Sequence, residues 1–304
     1  MAPLSSPSLQ TQVSSLDRLR KFSTGGYLYA LLDAYEAPAV PAKVQELGKE
    51  KAVSLFVGNA EQGYWDLAPY LLLVEETTLE WMWQTVWNVP CGVLIFSKSG
   101  LETLRTHFRR FLIVQLPDSE RWYFRYYDPR LLKTYLENCR PDELEIFFGP
   151  VRAFGIMNPG SEDVLLLHTL GEGRSVMETQ PEVRATWQVR LEQYQALEEV
   201  SWKDLEDRMV RELVQRFPQP CEKLGQRDLR AFIRLATAKA TTYQLAREAD
   251  LYHFVELMFR LGRDFDKDPQ VQAILQDSSV PDPSARLARL YERAAKMAVQ
   301  SLPR

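Results

Sequence analysis

Trp122-Tyr123-Phe124-Arg125-Tyr126-Tyr127-Asp128-Pro129-Arg130 carries the end of a strand, a corner and the start of a helix within one short stretch. Its aromatic run suits a half-buried sheet. Pro129 has no N–H for a ladder and biases Asp128 away from helical angles, so the strand must stop there. Beyond it Leu131, Leu132, Tyr135 and Leu136 return at helical spacing, with Asp128 placed as N-cap and Pro129 at the first helical position. Arg125, Asp128 and Arg130 are thereby crowded at one corner, a place where α/β sheets often carry sites. The plainer reading is structural: Asp128 caps the helix, and the two arginines pair with it or with another carboxylate.

Working outward from this corner, apolar runs recur. Tyr27–Asp33, Val53–Gly58, Ala68–Val74 and Cys91–Phe96 read as strands buried on both faces, as in parallel or mixed sheets covered by helices. Pro69 suits the first residues of a strand or an edge. Phe111–Leu116 and Trp122–Tyr127 read as a hairpin turning at Pro117–Glu120, and Val151–Met157 and Val164–Leu170 as strands flanking Asn158-Pro159-Gly160. Thr77–Trp87 has the apolar spacing of a helix, through Leu79, Met82, Trp83, Val86 and Trp87. Ser99 and Glu102 offer a capping box for a helix running to Phe111. Ahead of all this, residues 1–10 are Ser/Pro-rich and read as disordered, followed by a short helix through Val13, Leu16 and Leu19.

From about residue 180 only helical patterns remain. Gln188–Leu197, Trp202–Phe217, Asp228–Arg247, Leu251–Leu261 (closed by Gly262) and a last helix from Ser284 predict a small bundle. The expected fold class is therefore an α/β (α+β) N-terminal lobe with a mixed sheet flanked by helices, plus an all-α C-terminal lobe. The expected divisions are a tail and short helix over 1–22, an α/β domain over 23–175 and a helical lobe over 176–304. The periodicity breaks near 172–182, at Gly171, Gly173 and Pro181.

Composition narrows the function. The 304 residues are 45% hydrophobic and 26% charged, with 37 basic against 41 acidic side chains and a net charge of −4. Such a balance has no clustered basic face for nucleic acid. The longest apolar runs are too short for a membrane span, and the N-terminus lacks the basic start and apolar core of a signal peptide. Cys91, Cys139 and Cys221 are scattered, with no CxxC pair, which predicts reduced thiols in a cytoplasmic protein.

The sequence carries little that marks catalytic chemistry. His107, His168 and His253 are not in a metal-ligand spacing; His107 reads as solvated beside Arg105 and Arg109, and His168 as a satisfied sheet-edge residue. No nucleophile elbow or phosphate loop is present. Asp264, Asp266 and Asp268 alternate like calcium ligands, but Pro269 stands where the loop needs Gly and Leu275 where it needs Glu, so Asp266 or Asp268 reads as a helix cap. Trp83 and Trp87 fit a core stripe, whereas Trp81 lies off it and is the expected exposed tryptophan. Arg227, Arg230, Arg234 and Lys239 form a basic strip on one helix, a solvated face or a receptor for an acidic segment. By elimination a binding protein is favoured over an enzyme.

Four segments, Tyr29–Ala34, Leu67–Leu71, Phe124–Arg130 and Glu145–Pro150, resemble in order the motifs of the type VI secretion adaptor-chaperone family. Leu229–Arg234 and Asp250–Tyr252 through Gly262–Asp266 resemble, more loosely, the C-terminal lobes of some members. Val89-Pro90-Cys91-Gly92 departs from the pattern, which expects a small residue and an aromatic before the Gly. The resemblance implies a cytosolic protein that binds a toxic effector, through the effector's N-terminal segment, and helps load it onto a VgrG-type spike protein, with no catalytic residue, metal or cofactor. It implies a monomer forming a 1:1 complex, with neither nucleic acid nor membrane as partner. The segment is expected between the two lobes, with Trp81, Arg230, Arg234, Tyr243 and Tyr252 as candidate contacts and Arg125, Asp128 and Arg130 holding the corner. The competing readings are a structural subunit of the secretion apparatus and an α/β hydrolase or transferase.

Overall fold

The computed structural model describes residues 8–15, 25–169 and 186–300, and the chain divides into two compact units, Met1–Val200 and Ser201–Arg304. The first unit is built on a seven-stranded sheet. In chain order its strands are β1 (Leu9–Ser15), β2 (Tyr27–Asp33), β3 (Ala52–Ser54), β4 (Pro69–Leu73), β5 (Gly92–Ser97), β8 (Val151–Met157) and β9 (Asp163–Thr169). The spatial order is β1-β9-β8-β5-β2-β4-β3, antiparallel at every pairing. A small sheet of β6 (Ile113–Gln115), β7 (Arg121–Tyr123) and β10 (Trp187–Gln188) holds the one parallel pairing among the described strands, β10 on β6. The main sheet is thus not mixed. Its apolar runs come from burial on both faces, which is independent of strand direction.

Alternation along β2 shows both faces at work. Tyr29 and Leu31 join one core with Val93, Ile95, Phe154 and Leu167; Leu28, Ala30 and Leu32 join the other with Leu72, Leu94, Phe96 and Leu166. The first face is covered by α4 (Leu101–Arg109), α5 (Pro129–Glu137) and α6 (Pro141–Phe148), which bring Phe108, Tyr135 and Phe147 inward. The second face is covered by α1 (Val40–Leu47) and α3 (Glu76–Thr85), through Val40, Leu79 and Met82. A short α2 (Asn59–Gly63) lies between β3 and β4. Gly92 opens β5 where a Cβ would stand 2.2 Å from the Leu31 carbonyl oxygen, so the glycine of the departing Val89–Gly92 segment is fixed by close strand approach.

Several expectations are corrected. Residues 9–15 form a strand, where disorder and a helix were expected: β1 pairs with β9 from Leu9↔Thr169 to Ser15↔Asp163. A polar edge strand is held by backbone bonds and needs no apolar alternation. The remainder of that stretch, Leu16 and Leu19 included, and the break at 172–182 lie outside the described residues. The expected Ser99–Glu102 capping box is one residue out of register, since the N-cap of α4 is Gly100 and no side chain caps it; the Ser97 hydroxyl accepts from Ser99 N at 3.0 Å and donates to the Pro150 carbonyl at 2.7 Å. His168 is not at a sheet edge, since β1 covers β9. Gln188–Leu197 and Trp202–Phe217 are one helix, α7 (Leu191–Arg216), whose residues to Val200 belong to the first unit.

The second unit packs the rest of α7 with α8 (Pro218–Thr242), α9 (Glu248–Leu261), α10 (Pro269–Leu275) and α11 (Pro283–Gln300). Its core includes Leu205, Leu213, Phe232, Ile233, Phe254, Met258 and Leu287. Gly225 bends α8 with a φ of 72°. Glu256 is fully buried, and its carboxylate takes Arg216 at 2.6 Å, Arg260 at 2.6 Å and the Tyr291 hydroxyl at 2.8 Å. Asp268 caps α10 through the N–H groups of Gln270 and Val271, and among the described residues no cluster of His, Cys, Asp and Glu could hold a metal.

His107 overturns the expectation of a solvated side chain. It is 8% exposed, edge-on to Phe108 and Phe111, and its Nε2–H donates to the Phe147 carbonyl at 2.8 Å. Gly149, at φ 46°, fits over the ring, where a Cβ would come within 2.5 Å. Burial lowers the imidazole pKa to about 4. The folded state therefore resists a proton that the unfolded chain takes up below about pH 6.5. Stability contributed by neutral His107 is complete above that pH and falls as pH drops toward 4, by about 3 kcal/mol. Urea unfolding at pH 7 and pH 4.5 should show this loss in the native protein, and H107Q, which keeps a donor for Phe147, should flatten the difference between the two pH values.

Candidate functional site

The predicted corner forms as a structural device. Asp128 caps α5, its Oδ1 accepting from Arg130 N at 2.9 Å, and Arg130 closes back on the same carboxylate at 2.6 Å. Phe124, Tyr126 and Tyr127 are buried, Tyr126 donating its hydroxyl to the Phe108 carbonyl at 2.9 Å. The strand itself ends at Tyr123, two residues after it begins, because these aromatic side chains enter the core from irregular backbone.

Arg125 reaches further. Its guanidinium donates to Asp33 Oδ2 at 2.6 Å and to Glu36 Oε1 at 3.0 Å, and lies over the Tyr35 ring at 5.8 Å. Asp33 ends β2 with a side chain only 3% exposed, and its other oxygen accepts the Tyr35 N–H at 3.0 Å. Burial outweighs the pull of Arg125 and leaves the Asp33 carboxyl above its usual range; for Arg125 the cost of burial is exceeded by Asp33 and Glu36, which hold it above its usual range, so the guanidinium is charged at any ordinary pH. Beside them the Tyr123 and Tyr127 hydroxyls meet at 2.9 Å, and burial pushes Tyr123 up to about 12.

The Asp33–Arg125 bond fixes the loop after β2, which forms one wall of a groove of about 360 Å³. That wall holds Tyr35, Pro38 and Pro41; the other holds Trp65, Asp66 and Leu67. Antiparallel pairing places the walls side by side, with Asp33 opposite Pro69 and Ala34 N donating to the Ala68 carbonyl at 3.1 Å. The Tyr70 hydroxyl donates to the Trp65 carbonyl at 2.7 Å and holds the second wall. Tyr35 is 63% and Trp65 48% exposed, with Tyr64 and Leu67 also in solvent. Exposed aromatic side chains on a fixed scaffold are the anchors that protein interfaces use.

Tyr35, Pro38, Trp65, Asp66 and Leu67 leave no periodic signature because they lie in connections, and Pro41 sits in the first turn of α1. The one signal is Tyr64-Trp65 standing in a loop bracketed by Gly58, Gly63 and Pro69, where no helix or strand would bury them.

The residues expected to contact a partner have other settings. Trp81 is half-buried against the core with Lys43 Nζ 5.8 Å above its ring, whereas Trp83, expected in the core, is 40% exposed and tilted against Trp87 at 5.1 Å. The buried face of α3 runs through Thr78, Leu79 and Met82, which leaves Trp83 at its margin. Arg230 and Arg234 are held by Glu206, at 3.0 and 2.7 Å, and Arg230 also by Asp207 at 2.6 Å. Lys239 lies on Asp266 at 2.7 Å. The basic strip is thus largely neutralised within its own unit. Tyr243 and Tyr252 are half-buried, the first reaching Asp266 at 3.4 Å and the second lying under the Arg216 guanidinium.

Arg125→Ala should cost about 2 to 3 kcal/mol, because it strands a buried carboxylate. Asp33→Asn with Arg125→Met should cost less than the sum of the single changes. Urea unfolding of the four proteins closes this cycle, and additive losses would show that the pair is not coupled.

Residues 28–145 match a family described as a domain of unknown function, DUF4123. No curated protein and no solved structure matches the chain. The matched residues run from β2 into α6 and include Asp33, Arg125 and both walls of the groove, so the similarity covers the site from end to end.

Proposed function

We propose that this chain is a non-catalytic adaptor-chaperone of type VI secretion, which binds a toxic effector in the cytoplasm and promotes its loading onto a VgrG-type spike protein. The observation that carries this reading is convergence. Three of the motifs that resemble the adaptor-chaperone family fall within the stretch matching DUF4123, and they meet at one end of the sheet: Asp33 from the first, Ala68 and Tyr70 from the second, Arg125 from the third. They hold no nucleophile beside a base. What they position is a fixed, aromatic-walled groove open to solvent, a binding surface in kind.

An adaptor of this sort covers effector surface that would otherwise aggregate, so its absence should be felt as lost solubility. Affinity purification of the tagged chain, co-expressed with the proteins encoded on either side of its gene, is expected to yield a soluble 1:1 complex with one neighbour. That neighbour should become insoluble when the chain is omitted. A chain that purifies alone, and whose deletion leaves the neighbours' solubility and secretion unchanged, would remove this reading. Recovery at fixed stoichiometry in the assembled secretion machine would mark a structural subunit instead.

A further inference from the structure

We propose that the groove between Tyr35 and Trp65 takes an extended segment of a partner protein in which an apolar side chain is flanked by Lys or Arg. The adaptor reading supplies the partner's identity, but the chemistry follows from the groove itself. Its walls offer Tyr35, Pro38, Pro41, Trp65 and Leu67, a surface suited to an apolar anchor and too shallow and open to enclose a small molecule. Aromatic side chains lose little freedom when they bind, and here both walls are already held, one by Asp33 and Arg125 and the other by Tyr70.

Charge selects the flanking residues. Asp66 lines the groove, Glu36 follows Tyr35 directly, and the Tyr70 hydroxyl, whose pKa burial raises most, also feels the negative charge of Glu61 and Asp66. The nearby cations are already engaged. Arg125 bridges Asp33 and Glu36, Arg105 serves the Ser54 carbonyl and lies 3.9 Å from Glu61, and Lys43 is turned away onto Glu46 and Trp81. Among the described residues Asp66 has no ion-pair partner. Asp33, Glu36, Glu61 and Asp66 outnumber Arg125 and Arg105, so the apolar floor, with Asp66 on its wall, sits in net acidic surroundings that favour a basic segment and repel an acidic one.

The test uses the full chain and a phage-displayed library of random 12-residue peptides. Selection is expected to enrich sequences with Lys or Arg beside apolar residues, whose affinity falls as salt rises. Trp65→Ala and Asp66→Lys should each weaken the enriched peptides at least 10-fold while the chain stays folded, as cooperative thermal unfolding would show, because Asp66 is in solvent and Trp65 about half so. Asp66→Asn, which removes only the charge, should weaken the basic peptides and spare apolar ones. No enrichment, enrichment without basic residues, or binding indifferent to these variants would overturn the proposal. If the groove fails this test while a neighbouring protein still co-purifies, the adaptor reading stands and its surface lies elsewhere. Peptide binding without any such complex would have the opposite meaning.

Discussion

A carboxylate buried at the end of an inner strand requires a cation, and Asp33 makes that demand where β2 leaves the sheet. β2 has neighbours on both sides and helices over both faces, so no water approaches to take the charge. Arg125 comes from a segment 92 residues further along the chain, and everything that delivers it is specialised for the purpose. Phe124 and Tyr126, on either side, are driven into the core; Asp128 and Pro129 then turn the chain at once into α5. The arginine is left at the boundary, with its charge on Asp33 and Glu36 and its flat face on Tyr35. A lysine could supply the charge without the fork or the stacking surface.

This arrangement explains what could be read from sequence. The strands with apolar side chains on both faces, such as Tyr27–Asp33 and Gly92–Ser97, announce themselves, and so does the Asp128-Pro129 cap. Strand direction does not, since the two faces are filled alike whether neighbours run parallel or antiparallel. β1 was illegible for the opposite reason: Gln10, Gln12 and Ser14 carry no apolar signature, and its place is fixed by main-chain bonds to β9. His107 stands between Arg105 and Arg109 in sequence, yet its ring is buried against Phe108 and Phe111, while Arg109 is exposed and Arg105 reaches across to the Ser54 carbonyl.

The site divides along the same line. Local chemistry, the capping of α5 and the pairing of Arg130 with Asp128, follows from adjacent residues. The groove needs two connections far apart in sequence to be set side by side by strand pairing, which no local pattern encodes. Likewise Arg230 and Arg234 look like free cations on their own helix. Their partners Glu206 and Asp207 belong to the preceding helix, α7, and only tertiary packing brings them together.

The pairing of β1 with β9 also sets an order of events. Leu9 lies opposite Thr169, so the first strand cannot dock until nearly the whole unit has been synthesised. Closing so long a loop is entropically costly and is repaid only once β8 and β9 are in place to receive it. During synthesis the β9 edge is therefore the last to be covered, and until β1 arrives its main-chain groups present an open template to any other extended chain. In a protein whose proposed work is to hold an aggregation-prone partner, the final strand replaces the apolar edge of β9 with one carrying Gln10, Gln12 and Ser14.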